Sequence, residues 1–124
     1  MLLICLGIES SAHTFGIGIA DDRGNILANE KFVYKPPPGK GIVPMDAANS
    51  HKLNCNKVLE NALKKSKLGI EDVDAIAYVA GAGMSPCLLV GANFAAELSE
   101  KYNKTLIPVC HQVCLLYTSP SPRD

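Results

Sequence analysis

Leu2 to Ile8 is a nearly continuous apolar run. Such a run is expected of a strand buried on both faces, lying inside a sheet rather than at its edge. It ends abruptly at Glu9-Ser10-Ser11. Phe15 to Ala20 then alternates Phe15, Ile17 and Ile19 with Gly16 and Gly18, the pattern of a second strand with one crowded face. Asp21 to Asn25 reads as a turn in which Gly24 supplies the permissive position. Ile26 to Val33 follows as a third strand, which makes an antiparallel meander.

Tyr34 to Pro44 holds Pro36, Pro37 and Pro38 in a row and can be neither helix nor central strand. Met45 to Lys67 has helical spacing, with Met45, Ala48, Cys55, Leu59 and Ala62 on one stripe and Val58 and Leu63 beside it. Gly69 is expected in the left-handed position that closes this helix. Val73 to Ala80 is a fourth strand, followed by the glycine loop Gly81 to Ser85. Ser85 is placed to cap a second helix, with Pro86 at its first position. That helix runs to Lys101 or Tyr102 and carries Leu88, Leu89, Val90, Phe94, Ala95 and Leu98. Thr105 to Val109 is a fifth strand, and His111 lies just past its end.

The order β-β-β-α-β-α-β is the plan of the ribonuclease-H-like fold, which the actin-like ATPases use in each half. It predicts a mixed five-stranded sheet with two long helices, the later strands parallel to the first. Clefts in such sheets open at the carboxyl ends of the parallel strands. Glu9-Ser10-Ser11, Gly81 to Ser85 and His111 all fall at that edge.

Composition excludes several classes. Twelve Lys and Arg balance twelve Asp and Glu, so charge gives no reason to propose a nucleic-acid binder. No apolar run reaches the roughly 18 residues of a membrane span, and the opening run lacks the basic flank of a signal peptide. Cys5, Cys55, Cys87 and Cys110 are scattered, with no C-x-x-C pair among them. They fit small buried hydrophobes in a reducing compartment, and disulfides are not suggested.

The last eleven residues, Cys114 to Asp124, read CLLYTSPSPRD. One reading is a Ser/Pro-rich disordered tail. The other is foreign: the string translates the end of a transposon-type sequencing adapter codon for codon. On that reading residues 1–113 are an N-terminal actin-like subdomain cut short, residues 114–124 are not native, and Cys114 leaves the cysteine count.

The residues at the presumed cleft support more than one chemistry. Gly7 to Ser11 reads equally as a phosphate-handling turn and as a polar hairpin turn. Gly81-x-Gly83-x-Ser85 before a helix has the geometry of an anion site, and glycine loops there are also plain turns. His13, in a turn, and His51, on the first helix, read as surface or packing residues. His111 is the metal-ligand candidate by position, and a lone histidine is a weak signal.

Taken together, Leu6 to Ile19, Tyr34 to Pro44, Ala47 to His51, Ala75 to Met84 and Ile107 to His111 resemble, in order, the tRNA threonylcarbamoyltransferases. The Pro-Gly loop resembles the archaeal and eukaryotic branch, the catalytic subunit of the KEOPS complex. The resemblance implies a two-lobed, cytoplasmic enzyme. It would transfer a threonylcarbamoyl group from threonylcarbamoyl-adenylate to the adenosine next to the anticodon of tRNA. It also implies KEOPS-type protein partners and one iron or zinc ion, which acts as a Lewis acid on a carbonyl. His111 matches the first of two metal histidines, and Ser10, Ser11 and Gly83 are the expected nucleotide-binding positions. The other catalytic residues are unassigned. The second metal histidine would fall at Leu115, so this chain alone is expected to be inactive and to hold no metal tightly. The sequence departs from the family at Ala82 and Ser85 in the glycine loop, at Ser50 and at Cys110. Two other readings are a non-catalytic, TsaB-like dimerisation scaffold and another actin-like kinase.

Overall fold

A computed structural model describes residues 3–39, 41, 43–81 and 83–110. The elements are β1 (Ile4–Glu9), β2 (Thr14–Asp21), β3 (Ile26–Val33), α1 (Pro44–Ser66), a 3-10 turn (Ile70–Asp72), β4 (Ala75–Gly81), α2 (Ser85–Tyr102) and β5 (Thr105–Cys110). The sheet order is β3-β2-β1-β4-β5, so the apolar first strand is central. β1 pairs antiparallel with β2 and parallel with β4, and β4 pairs parallel with β5. The start of the parallel pair is clamped twice. The Ile4 amide donates to Asp74 Oδ2 at 2.7 Å, and the Asp74 amide donates to the Ile4 carbonyl at 2.8 Å.

Alternation decides which face is buried. Leu6, Phe15, Ile17, Ile19 and Ile76 point into one core with Val58, Leu59 and Ala62 of α1 and Phe94, Ala95 and Leu98 of α2. The Phe15 and Phe94 rings meet edge-on, with centroids 6.0 Å apart. α1 packs on β2 and β3, α2 packs on β4, and the helices touch each other. The expected double-sided burial of β1 is therefore met on one face only. Its other face carries Cys5 and Gly7, half-buried, with Gly18 and Ala77 beside Gly7.

The turn between β2 and β3 folds as its residues dictate. Gly24 has φ +88°, and the Asp21 carboxylate accepts from the Arg23 and Asn25 amides, both at 2.9 Å. The Asn25 side-chain bond, followed by these backbone bonds, holds the Asp21 carboxyl below its ordinary range.

Other sequence expectations are corrected at the helix ends and on α1. Lys67, not Gly69, takes the left-handed position that closes α1, with φ 63°. The Lys67 and Leu68 amides reach back to the Lys64 and Leu63 carbonyls, both at 3.2 Å, and that satisfaction fixes the site of the reversal. Gly69 is extended and instead opens the 3-10 turn, which the sequence reading lacked. Ser85 does not cap α2: Met84 precedes the helix, Ser85 is its first residue, and no side chain caps it. Met45, expected on the buried stripe of α1, is 57% exposed, and Leu89 of α2 is 60% exposed. They line an open groove of about 870 Å³ between α1 and α2. The apolar stripe of α1 instead runs through Ala47, Ala48, His51, Cys55, Val58, Leu59 and Ala62.

No helix among the described residues is long and apolar enough to cross a membrane. The Cys114–Asp124 string and its expected lack of packing lie outside the described residues.

Candidate functional site

β1 and β4 are parallel neighbours, so the turn after β1 and the glycine loop after β4 emerge at the same sheet edge. They are in contact. A Cβ on Gly83 would lie 2.6 Å from both the Cβ and the carbonyl oxygen of Ser11. A Cβ on Gly91, in the second turn of α2, would lie 2.9 Å from the Ser10 Cβ. Two glycines thus let the chain after β1 approach the start of α2 at a distance no other residue permits.

Four consecutive residues then anchor to different parts of the chain. The Ser10 hydroxyl donates to the Cys87 carbonyl at 2.8 Å. The Ser11 carbonyl accepts from the Met84 amide at 2.7 Å, and the His13 carbonyl accepts from the Tyr34 amide at 2.8 Å. Between them the Ala12 carbonyl lies 2.7 Å from His51 Nε2. The corner is held by the entry and first turn of α2, by α1 and by the chain leaving β3.

Of the sequence-predicted residues, Ser10, Ser11 and Gly83 are brought together here. Ser10 and Ser11 are 2% and 5% exposed, and the Ser11 hydroxyl donates to the Glu9 carboxylate. Both hydroxyls are thus engaged within the chain. His111, the metal candidate, lies outside the described residues. Among the described residues no group of three His, Cys, Asp or Glu side chains could hold a metal ion. His13 is exposed and His51 is fully buried, as surface and packing readings respectively require.

The sequence reading missed two contributors. Gly91 sits inside a helix, where glycine costs about 1 kcal/mol relative to alanine, a signal of close packing. His51 falls between Ala48 and Cys55 at the spacing of the buried stripe, which makes it the polar member of an apolar face. Its ring packs against Phe15, with centroids 5.8 Å apart.

Burial sets the described thiols above their ordinary range. Burial, aided by the Glu9 charge, pushes the Cys87 thiol up. Burial likewise raises Cys5 and Cys55. All three are free cysteines.

Against known proteins, the family profile described as tRNA N6-adenosine threonylcarbamoyltransferase matches residues 25–122. The chain belongs to this family. A curated family member from Thermofilum pendens is 49% identical over 114 residues, which cover 92% of this chain and 34% of that protein. One from Methanopyrus kandleri is 46% identical over 111 residues, 90% of this chain and 32% of that protein. The chain thus spans about a third of the length of these relatives. Among solved structures, YeaZ from Pseudomonas aeruginosa superposes with a TM-score of 0.68 at 16% identity, over 87% of this chain and 43% of that one. RuvC from T. thermophilus, in complex with a Holliday junction substrate, gives 0.52 at 10% identity. These two likenesses establish the actin-like, ribonuclease-H-like fold of the family member and nothing finer.

Proposed function

We propose that this chain is the N-terminal segment of an enzyme that moves a threonylcarbamoyl group from its adenylate to the exocyclic amine of the adenosine beside a tRNA anticodon. The observation that carries the reading is 46–49% identity to curated transferases over about nine-tenths of the chain. In that reaction the exocyclic amine forms a C–N bond to the carbamoyl carbon and gives up a proton, while the anhydride C–O bond breaks and AMP leaves. The segment's share is binding and positioning. Ser10, Ser11 and Gly83 build the edge that meets the nucleotide, through backbone rather than hydroxyls. His111 is the first ligand of an iron or zinc ion. Among the described residues no group of three His, Cys, Asp or Glu side chains could hold that ion. KEOPS-type subunits as partners and a cytoplasmic location belong to the same reading.

Residues 1–113 form the native segment on this account, and 114–124 are adapter-encoded. The test is the genomic reading frame beyond codon 113. The account expects a second histidine four positions after His111, in H-x-x-x-H, and an aspartate further on. A frame that continues as CLLYTSPSPRD, without those residues, contradicts it.

A further inference from the structure

We propose that His51 is a positioning residue for the nucleotide edge: it turns the Ala12–His13 peptide so that the His13 amide N–H faces outward, toward an oxyanion. The inference rests on the function proposed above.

A carbonyl oxygen only accepts, so the 2.7 Å contact with the Ala12 carbonyl requires the proton on Nε2 of His51. In the neutral ring this leaves Nδ1 bare, and Nδ1 is buried with no hydrogen-bond partner among the described residues. The side chain is fully buried on α1, and its ring packs beside Phe15.

In a trans peptide the C=O of one residue and the N–H of the next point in opposite directions. With the Ala12 carbonyl drawn inward to His51, the His13 N–H points away from α1, on a residue that is itself exposed. The same rule applies one residue earlier. The Ser11 carbonyl faces the Met84 amide, so the Ala12 N–H points away from the start of α2. The nearby acid, Glu9, is engaged by the Ser11 hydroxyl. Two successive peptide units are thus oriented by donors on α1 and at the entry to α2, and the His51 bond is the one made by a side chain.

The test is NMR on the 124-residue chain, with inorganic phosphate as the probe. The His51 ring should show a protonated Nε2 and an unprotonated Nδ1. Phosphate should shift the His13 amide resonance saturably in the wild type. His51→Gln, whose amide nitrogen reaches the Nε2 position, should keep that response. His51→Asn, whose amide reaches only the Nδ1 position, and His51→Leu should weaken phosphate binding about five- to tenfold, the scale of one hydrogen bond. A ring protonated on Nδ1, a silent His13 amide in the wild type, or equal responses in the Gln and Asn variants would overturn the proposal. Transfer to tRNA is measured separately in the longer enzyme. Its absence alongside an intact phosphate response counts against the proposed function and not against the role of His51.

Discussion

The Ser10 hydroxyl donates to the Cys87 backbone carbonyl across 77 residues of sequence, and both residues are buried. This bond ties the turn after the central strand to the first turn of α2. Ser10→Ala should destabilise the chain by about 1 kcal/mol, the net worth of one buried hydrogen bond. Urea unfolding would show it as a lower midpoint at unchanged m-value. An unaltered midpoint would mean that the corner is held by its other anchors alone.

The glycines at the same contact should respond more strongly. Gly91→Ala gains about 1 kcal/mol of helix propensity on the general scale, yet its Cβ would sit 2.9 Å from the Ser10 Cβ. Overpacking of this kind costs about 1–3 kcal/mol, so the net effect is expected to be destabilising. In a Ser10→Gly background, which already lacks both the Ser10 Cβ and the hydroxyl bond to Cys87, adding Gly91→Ala should stabilise the chain by about 1 kcal/mol relative to Ser10→Gly alone. Gly83→Ala should be worse than Gly91→Ala, because the Ser11 carbonyl it meets at 2.6 Å is backbone and cannot rotate away. A stabilised Gly91→Ala single variant would contradict the close approach.

Alkaline pH supplies an independent check. Burial raises the Cys5, Cys55 and Cys87 thiols in the folded chain above the ordinary value of 9.0. The unfolded chain therefore loses its thiol protons first. The stability these groups contribute is complete below about pH 9 and is lost as pH rises through the folded values. The Cys5→Ala, Cys55→Ala, Cys87→Ala variant should lose less stability between pH 8 and 10 than the wild type. In the wild type, alkylation at pH 8 should be slower than for an exposed cysteine. Equal pH slopes in the two proteins would contradict the burial of these thiols.

The fold was legible because its signals are local and periodic. Phe15, Ile17 and Ile19 alternate against glycines, three prolines close the meander, and two helix-length segments each precede a strand. The helix ends were less legible. Lys67 closes α1 because its amide and that of Leu68 satisfy open carbonyls, a choice that glycine preference at position 69 does not reveal. Met45 and Leu89 have apolar chemistry at helical spacing, but they face a groove between the helices instead of the sheet. The site was half legible. Ser10, Ser11 and Gly83 stood out as a turn and a glycine loop. The joining of Ser10 to Cys87 and Gly91, and of Ala12 to His51, depends on contacts between distant segments, for which no spacing rule exists.

On the function proposed above, this segment is part of an enzyme that threonylcarbamoylates tRNA. The direct measurement is mass spectrometry of N6-threonylcarbamoyladenosine in tRNA incubated with threonylcarbamoyl-adenylate and the longer polypeptide that carries residues 1–113, with its protein partners present. The account predicts the modified nucleoside with that polypeptide, a loss of both metal content and product in its His111→Ala variant, and no product from the 124-residue chain alone. An unmodified tRNA pool with the longer, folded polypeptide would contradict it.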